Sequence, residues 1–204
     1  MDYQDTPTAG FVEYMKDVEN DKLRDKFKLD PSYITTPHDS PEGGTKTTGY
    51  GHKLAPGEAE FGMNEQQTNE RLEKDLTSAL HKTGAYVDTT FGAGSWDAMP
   101  PSKKEALADF QYNLKGGVAK FPKLTEAIVK DNQPEMVRQF RRNYTDKDGV
   151  KKDMDTRNQK WWTKYGRPMT GVKYQQTASV SRTFDHLEEQ GVYFGDLNLR
   201  GASK

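Results

Sequence analysis

The sequence predicts an α+β fold, with a small β lobe near the N-terminus and a larger helical lobe after residue 64. Three observations predict it. Residues 33–54 mix β-branched residues with Pro and Gly, as an irregular β-hairpin does. From Asn64 onward the apolar residues recur at helical spacing. Pro and Gly clusters then cut that half of the chain into several helices. A cleft between two such lobes is a common place for a substrate.

Residues Met1–Gly10 read as a polar lead-in. Phe11, Met15 and Val18 recur at i, i+4, i+7, so a short amphipathic helix is expected, ending near Glu19–Asp21. Leu23–Leu29 fits neither pattern clearly. Tyr33–Thr36 reads as a strand, Pro37–Gly44 as turns, and Thr45–His52 as a second strand carrying two glycines. Asn64 with Gln67 forms a capping box for a helix striped by Leu72, Leu76 and Leu80 and stopped at Gly84. Gly92, Gly94, Pro100 and Pro101 mark a loop. Ser102 with Glu105 then caps a helix carrying Leu107, Phe110 and Leu114, closed by Gly116-Gly117. Pro122 opens a helix with Leu124 and Ile128, and Pro134 opens one with Met136, Phe140 and Tyr144. Asp146–Gly149 is a turn. Asp155 is placed to cap a helix bearing Trp161, Trp162 and Tyr165, which stops at Gly166-Arg-Pro168. Beyond that the chain is less periodic, with one helix expected around Ser181–Gln190.

Composition removes several function classes. In 204 residues, 30 Lys+Arg stand against 31 Asp+Glu, so no global basic field exists for nucleic acid. There is no Cys, which excludes disulfides, thiol catalysis and Cys-ligated metals. No apolar run reaches the length of a membrane span, and the charged first thirty residues hold no secretory apolar region. His38, His52, His81 and His186 are widely spaced and form no HxxxH or HExxH pair, so no metal site is expected. Arg138, Arg141, Arg142, Lys151 and Lys152 cluster, and read as a solvated helix face rather than a polyanion site.

The informative stretches are Val18–Phe27 and His38–His52. The second contains Thr47-Thr-Gly-Tyr-Gly-His52. Further on come Lys74-Asp75, Phe110-Gln111 with Gly117-Val-Ala-Lys-Phe121, and Thr156-Arg157 through Tyr165. In this order they resemble the tailed-phage lysozymes, the endolysin-type muramidases, over roughly residues 10–166. The resemblance implies a lysozyme-like catalytic domain at 10–168, after a lead-in at 1–9. It leaves a C-terminal extension at 169–204 that docks on the core or on a partner.

It also implies roles. Glu19 matches the general acid, and Thr47 is placed to hold the attacking water. Asp39, in an Asp-Ser pair, or Glu42, in an acidic-Gly pair, is the second carboxylate, with Asp39 slightly favoured. Gly49, Tyr50, Gln111 and Arg157 belong to the substrate side, and Arg157 pairs with Glu19. His52 and Asp75 form a structural pair tying strand to helix. Trp161 and Trp162 read as core rather than sugar platforms. One departure is that Leu29–His38 looks like an insertion between Glu19 and the Asp39 turn.

The chemistry agrees with these roles. Inverting glycoside cleavage needs a protonated acid at the leaving oxygen and a second carboxylate that activates water. A Glu at a helix C-terminus would be held protonated by the negative end of the dipole. Glycines at 49 and 51 let backbone approach a substrate closely. The expected reaction is hydrolysis of the β-1,4 bond between N-acetylmuramic acid and N-acetylglucosamine, without a cofactor. Two rivals remain: a lytic transglycosylase, which needs one acid/base residue, and an inactive virion component that binds peptidoglycan. The expected partners are bacterial peptidoglycan and, through the extension, other virion proteins, with no nucleic acid and no membrane insertion. The protein would wait in the host cytoplasm for holin-dependent release, or travel in the virion.

Overall fold

The computed structural model describes residues 5–27, 35–39, 46–55, 63–114, 116–145 and 149–174, with 20–27 as backbone alone. The chain is mixed helix and sheet, α+β, and divides between Lys120 and Phe121 into two compact units.

In the first unit, helix α1 spans Ala9–Phe27. Thr8 caps it, its hydroxyl accepting from the Phe11 amide at 3.1 Å. Phe11, Met15 and Val18 are buried as one stripe. The helix does not end near Glu19. Residues 21–27 contain neither Gly nor Pro and include Leu, Arg and Lys, all good helix formers, so nothing stops it there. The described part of the lead-in, from Asp5 on, is fastened to the fold. Asp5 accepts from the Trp96 indole N–H and from Lys104 Nζ, and Thr8 Oγ1 donates to Glu105 at 2.6 Å.

Strands β1 (His38–Asp39), β2 (Lys46–Thr48) and β3 (His52–Lys53) form an antiparallel sheet in that order. The expected strand at Tyr33–Thr36 is displaced. Residues 33–34 lie outside the described residues, and Thr35 and Thr36 turn, the Thr35 carbonyl accepting from the Met63 amide. Pairing with β2 selects His38–Asp39 instead, tertiary context overriding β-propensity. Nor is Thr45–His52 one strand. Gly49 and Gly51 have φ of 59° and 85°, a left-handed conformation that turns β2 back into β3.

Helix α2 (Glu65–Phe91) starts with the reciprocal Asn64–Gln67 capping box and buries Leu72, Leu76 and Leu80. It runs through Gly84 and ends at Gly92. Gly84 is needed for packing, since a Cβ there would stand 3.0 Å from the buried Trp96 ring. Helix α3 (Pro101–Asn113) begins at Pro101, whose fixed φ suits a first turn, and not at a Ser102 cap; Glu105 serves Thr8 instead. Leu107 and Phe110 are buried, whereas Leu114 lies past the helix end. A 3₁₀ turn, Gly117–Lys120, closes the unit.

In the second unit, α4 (Pro122–Val129) and α5 (Gln133–Gln139) bury Leu124, Ile128 and Met136, with Pro in the first turn of each. Tyr144, expected on α5, instead lies exposed on β4 (Asn143–Thr145), which pairs antiparallel with β5 (Lys151–Asp153). Asn158 causes the break: its amide group accepts from the Arg142 N–H and donates to the Arg142 carbonyl. The basic cluster is therefore not one solvated face. Arg142 is fully buried, Arg138 pairs with Glu135 and Arg141 with Asp153.

Helix α6 (Asp155–Trp161) has Met154 at its N-cap position, with no side-chain cap, and Asp155 lies inside the first turn, its carboxylate accepting from Tyr174. Trp161 and Trp162 are buried against Phe140, with ring centroids of Phe140 and Trp162 4.3 Å apart, and buried Tyr165 packs on Trp161. The chain does not stop at Gly166. A π-turn, Trp162–Gly166, leads into α7 (Arg167–Thr170). Gly166 is required because a Cβ would fall 2.3 Å from the Trp162 ring. The start of the extension packs on this unit, Trp162 Nε1 donating to the Val172 carbonyl. The expected helix at 181–190 lies outside the described residues.

Candidate functional site

The first unit gathers one carboxylate and one glycine turn. Glu19 lies on the same helix as Phe11, Met15 and Val18, and is only 7% exposed. A Cβ built on Gly51 would stand 3.5 Å from Glu19 Oε2. Gly51 itself is exposed. The carboxyl group thus sits just beneath the surface, under a residue with no side chain to cover it. The helix dipole does not act on Glu19 as expected, because α1 continues for residues 20–27 beyond it and the dipole acts within the last turn.

The turn over Glu19 is held from two sides. The Tyr50 ring is inside the fold, 9% exposed, rather than presented to solvent. Burial raises the pKa of its phenol; the positive charge of Lys16 opposes the shift and the negative charges of Glu65 and Glu13 add to it. The Tyr50 carbonyl accepts from the Tyr112 hydroxyl on α3 at 2.5 Å. Gly49, with φ of 59°, is buried beside it.

Thr47 is buried, and its hydroxyl donates to the His38 carbonyl at 3.4 Å. The β1–β2 register pairs His38 with Thr47 and exposed Asp39 with Lys46. Directly opposed residues share a face and successive residues alternate, so Asp39 and Thr47 lie on opposite faces of this ladder. The structure does not bring these two together. Glu42, the other candidate for the second carboxylate, lies outside the described residues.

His52 Nδ1 stands 2.8 Å from Asp75 Oδ2, joining β3 to α2. Gln111 is engaged locally: its Oε1 accepts from the Val118 amide, and its side chain lies across Gly117, where a Cβ would overlap it at 2.0 Å. Arg157 is buried on α6, in the second unit.

Sequence reasoning missed Tyr112, because its partner is 62 residues away and no local pattern marks that contact. It also missed the buried carboxylates of Glu105 and Asp109, which accept from Thr8 and Tyr14 across 97 and 95 residues. Among the described residues no group of three or more His, Asp or Glu is placed to hold a metal ion, and no helix is long and apolar enough to cross a membrane. No family model, curated protein or solved structure matches the chain.

Proposed function

We propose that the chain is a muramidase of lysozyme-like fold that cleaves the β-1,4 bond between N-acetylmuramic acid and N-acetylglucosamine in bacterial peptidoglycan. The observation that carries this reading is the buried Glu19 carboxyl beneath the bare Gly51 turn. A glycan lying over a glycine can approach within reach of a carboxyl below it, where Glu19 would protonate the leaving oxygen. The resemblance of Thr47–His52 and the later motifs to the phage lysozymes supplies the substrate class.

In the hydrolytic form Asp39 or Glu42 activates water on the opposite face of the sugar. The second form is lytic transglycosylation, in which Glu19 acts as the single acid/base because neither Asp39 nor Glu42 serves. The β1–β2 register supports it for Asp39, which is turned to the other face from Thr47. The test is mass spectrometry of muropeptides released from purified peptidoglycan. Reducing N-acetylmuramic ends indicate hydrolysis and anhydro ends indicate transglycosylation. Absence of release by folded protein rejects both.

A further inference from the structure

We propose that Tyr112 is a positioning residue, whose hydroxyl holds the Gly49–Gly51 turn in place over the Glu19 carboxyl. The proposal rests on the muramidase reading of Glu19. Gly49 and Gly51 both have positive φ, so this turn has little intrinsic preference for the one conformation observed. The two-residue strand β3 that follows it adds few ladder bonds. Something outside the sheet must fix the turn. The Tyr50 ring contributes by being buried in the fold. The Tyr112 hydroxyl contributes by donating to the Tyr50 carbonyl from the rigid helix α3.

Gly51 follows Tyr50 directly, and its Cα carries the surface that faces Glu19 Oε2. A shift of the Tyr50 carbonyl therefore moves the roof of the carboxyl group. Reactions that depend on a positioned acid are sensitive to misplacements of about 1 Å. Tyr112 acts through the turn, by holding the Tyr50 carbonyl.

The experiment compares the full chain with Tyr112→Phe, which keeps the ring and removes the hydroxyl. Two readouts are taken: amide hydrogen exchange at Tyr50 and Gly51, and initial rates on soluble peptidoglycan fragments. Exchange at the turn should speed up about five- to tenfold, as expected for loss of one hydrogen bond. kcat should fall by a similar factor or more, with KM within about twofold and one cooperative melting transition lowered by only about 2–4 °C. Unchanged exchange at the turn overturns the proposal whatever the rates show. Faster exchange with unchanged kcat overturns it as well. If wild-type protein releases no fragments while exchange still responds to Tyr112→Phe, the muramidase reading has failed and the hold on the turn stands.

Discussion

Glu19 and Gly51 meet face to face: the carboxylate of one lies 3.5 Å from where the other would carry a methyl group. The contact joins α1 to the turn between β2 and β3, and a methyl group at 51 would meet the carboxyl at ordinary van der Waals distance. Two different costs of substitution follow and can be separated. Gly51→Ala places an alanine at φ of 85° and should destabilise the protein by about 1–2 kcal/mol. Gly51→Asn tolerates the left-handed backbone better but puts a larger group over the carboxyl. Denaturant unfolding should rank Ala as the less stable variant, and wall-cleaving rate per folded molecule should rank Asn as the less active. The reverse order in both would place substrate elsewhere.

The His52–Asp75 bond ties β3, at the end of that turn, to α2. Both side chains are partly exposed, which limits what the pair contributes. His52→Asn should lower stability by about 1–2 kcal/mol and leave activity per folded molecule intact. A variant that melts like wild type and has lost activity would move His52 into the chemistry.

Tyr50 gives a pH dependence with a definite sign. Its phenol has a folded pKa above the ordinary 10.0, chiefly through burial. The unfolded chain then gives up this proton at lower pH than the folded one. The contribution is fully present below pH 10 and is lost as pH rises through the raised folded value. Unfolding measured from pH 9 to 11.5 should show wild type losing stability relative to Tyr50→Phe as pH passes 10. Parallel curves would show that the ring is not held neutral by its surroundings.

Legibility in the sequence followed the range of the interaction. The Asn64–Gln67 box and the Leu72, Leu76, Leu80 stripe are local, and both stand where the pattern placed them. Gly84 and Gly166 look like stops, but each is a glycine under a tryptophan, a tertiary fact that no local pattern carries. The β4–β5 hairpin was hidden for the same reason, since Asn158 holds Arg142 out of a helix from 16 residues away. At the candidate site, the Thr47–His52 run was legible as a motif. The meeting of Glu19 with Gly51, the grip of Tyr112 on Tyr50 and the opposite facing of Asp39 and Thr47 are products of folding.

In the proposed reaction Glu19 delivers the proton. Glu19→Gln keeps the size of the side chain and removes its acid, so the fold should survive with an unchanged melting transition. Loss of a positioned general acid typically costs about 10²–10⁴ in rate. The measurement is the initial rate of muropeptide release from purified peptidoglycan by folded wild type and folded Glu19→Gln. A fall of about 10² or more is predicted. Release by Glu19→Gln within a few-fold of an active wild type would contradict the account.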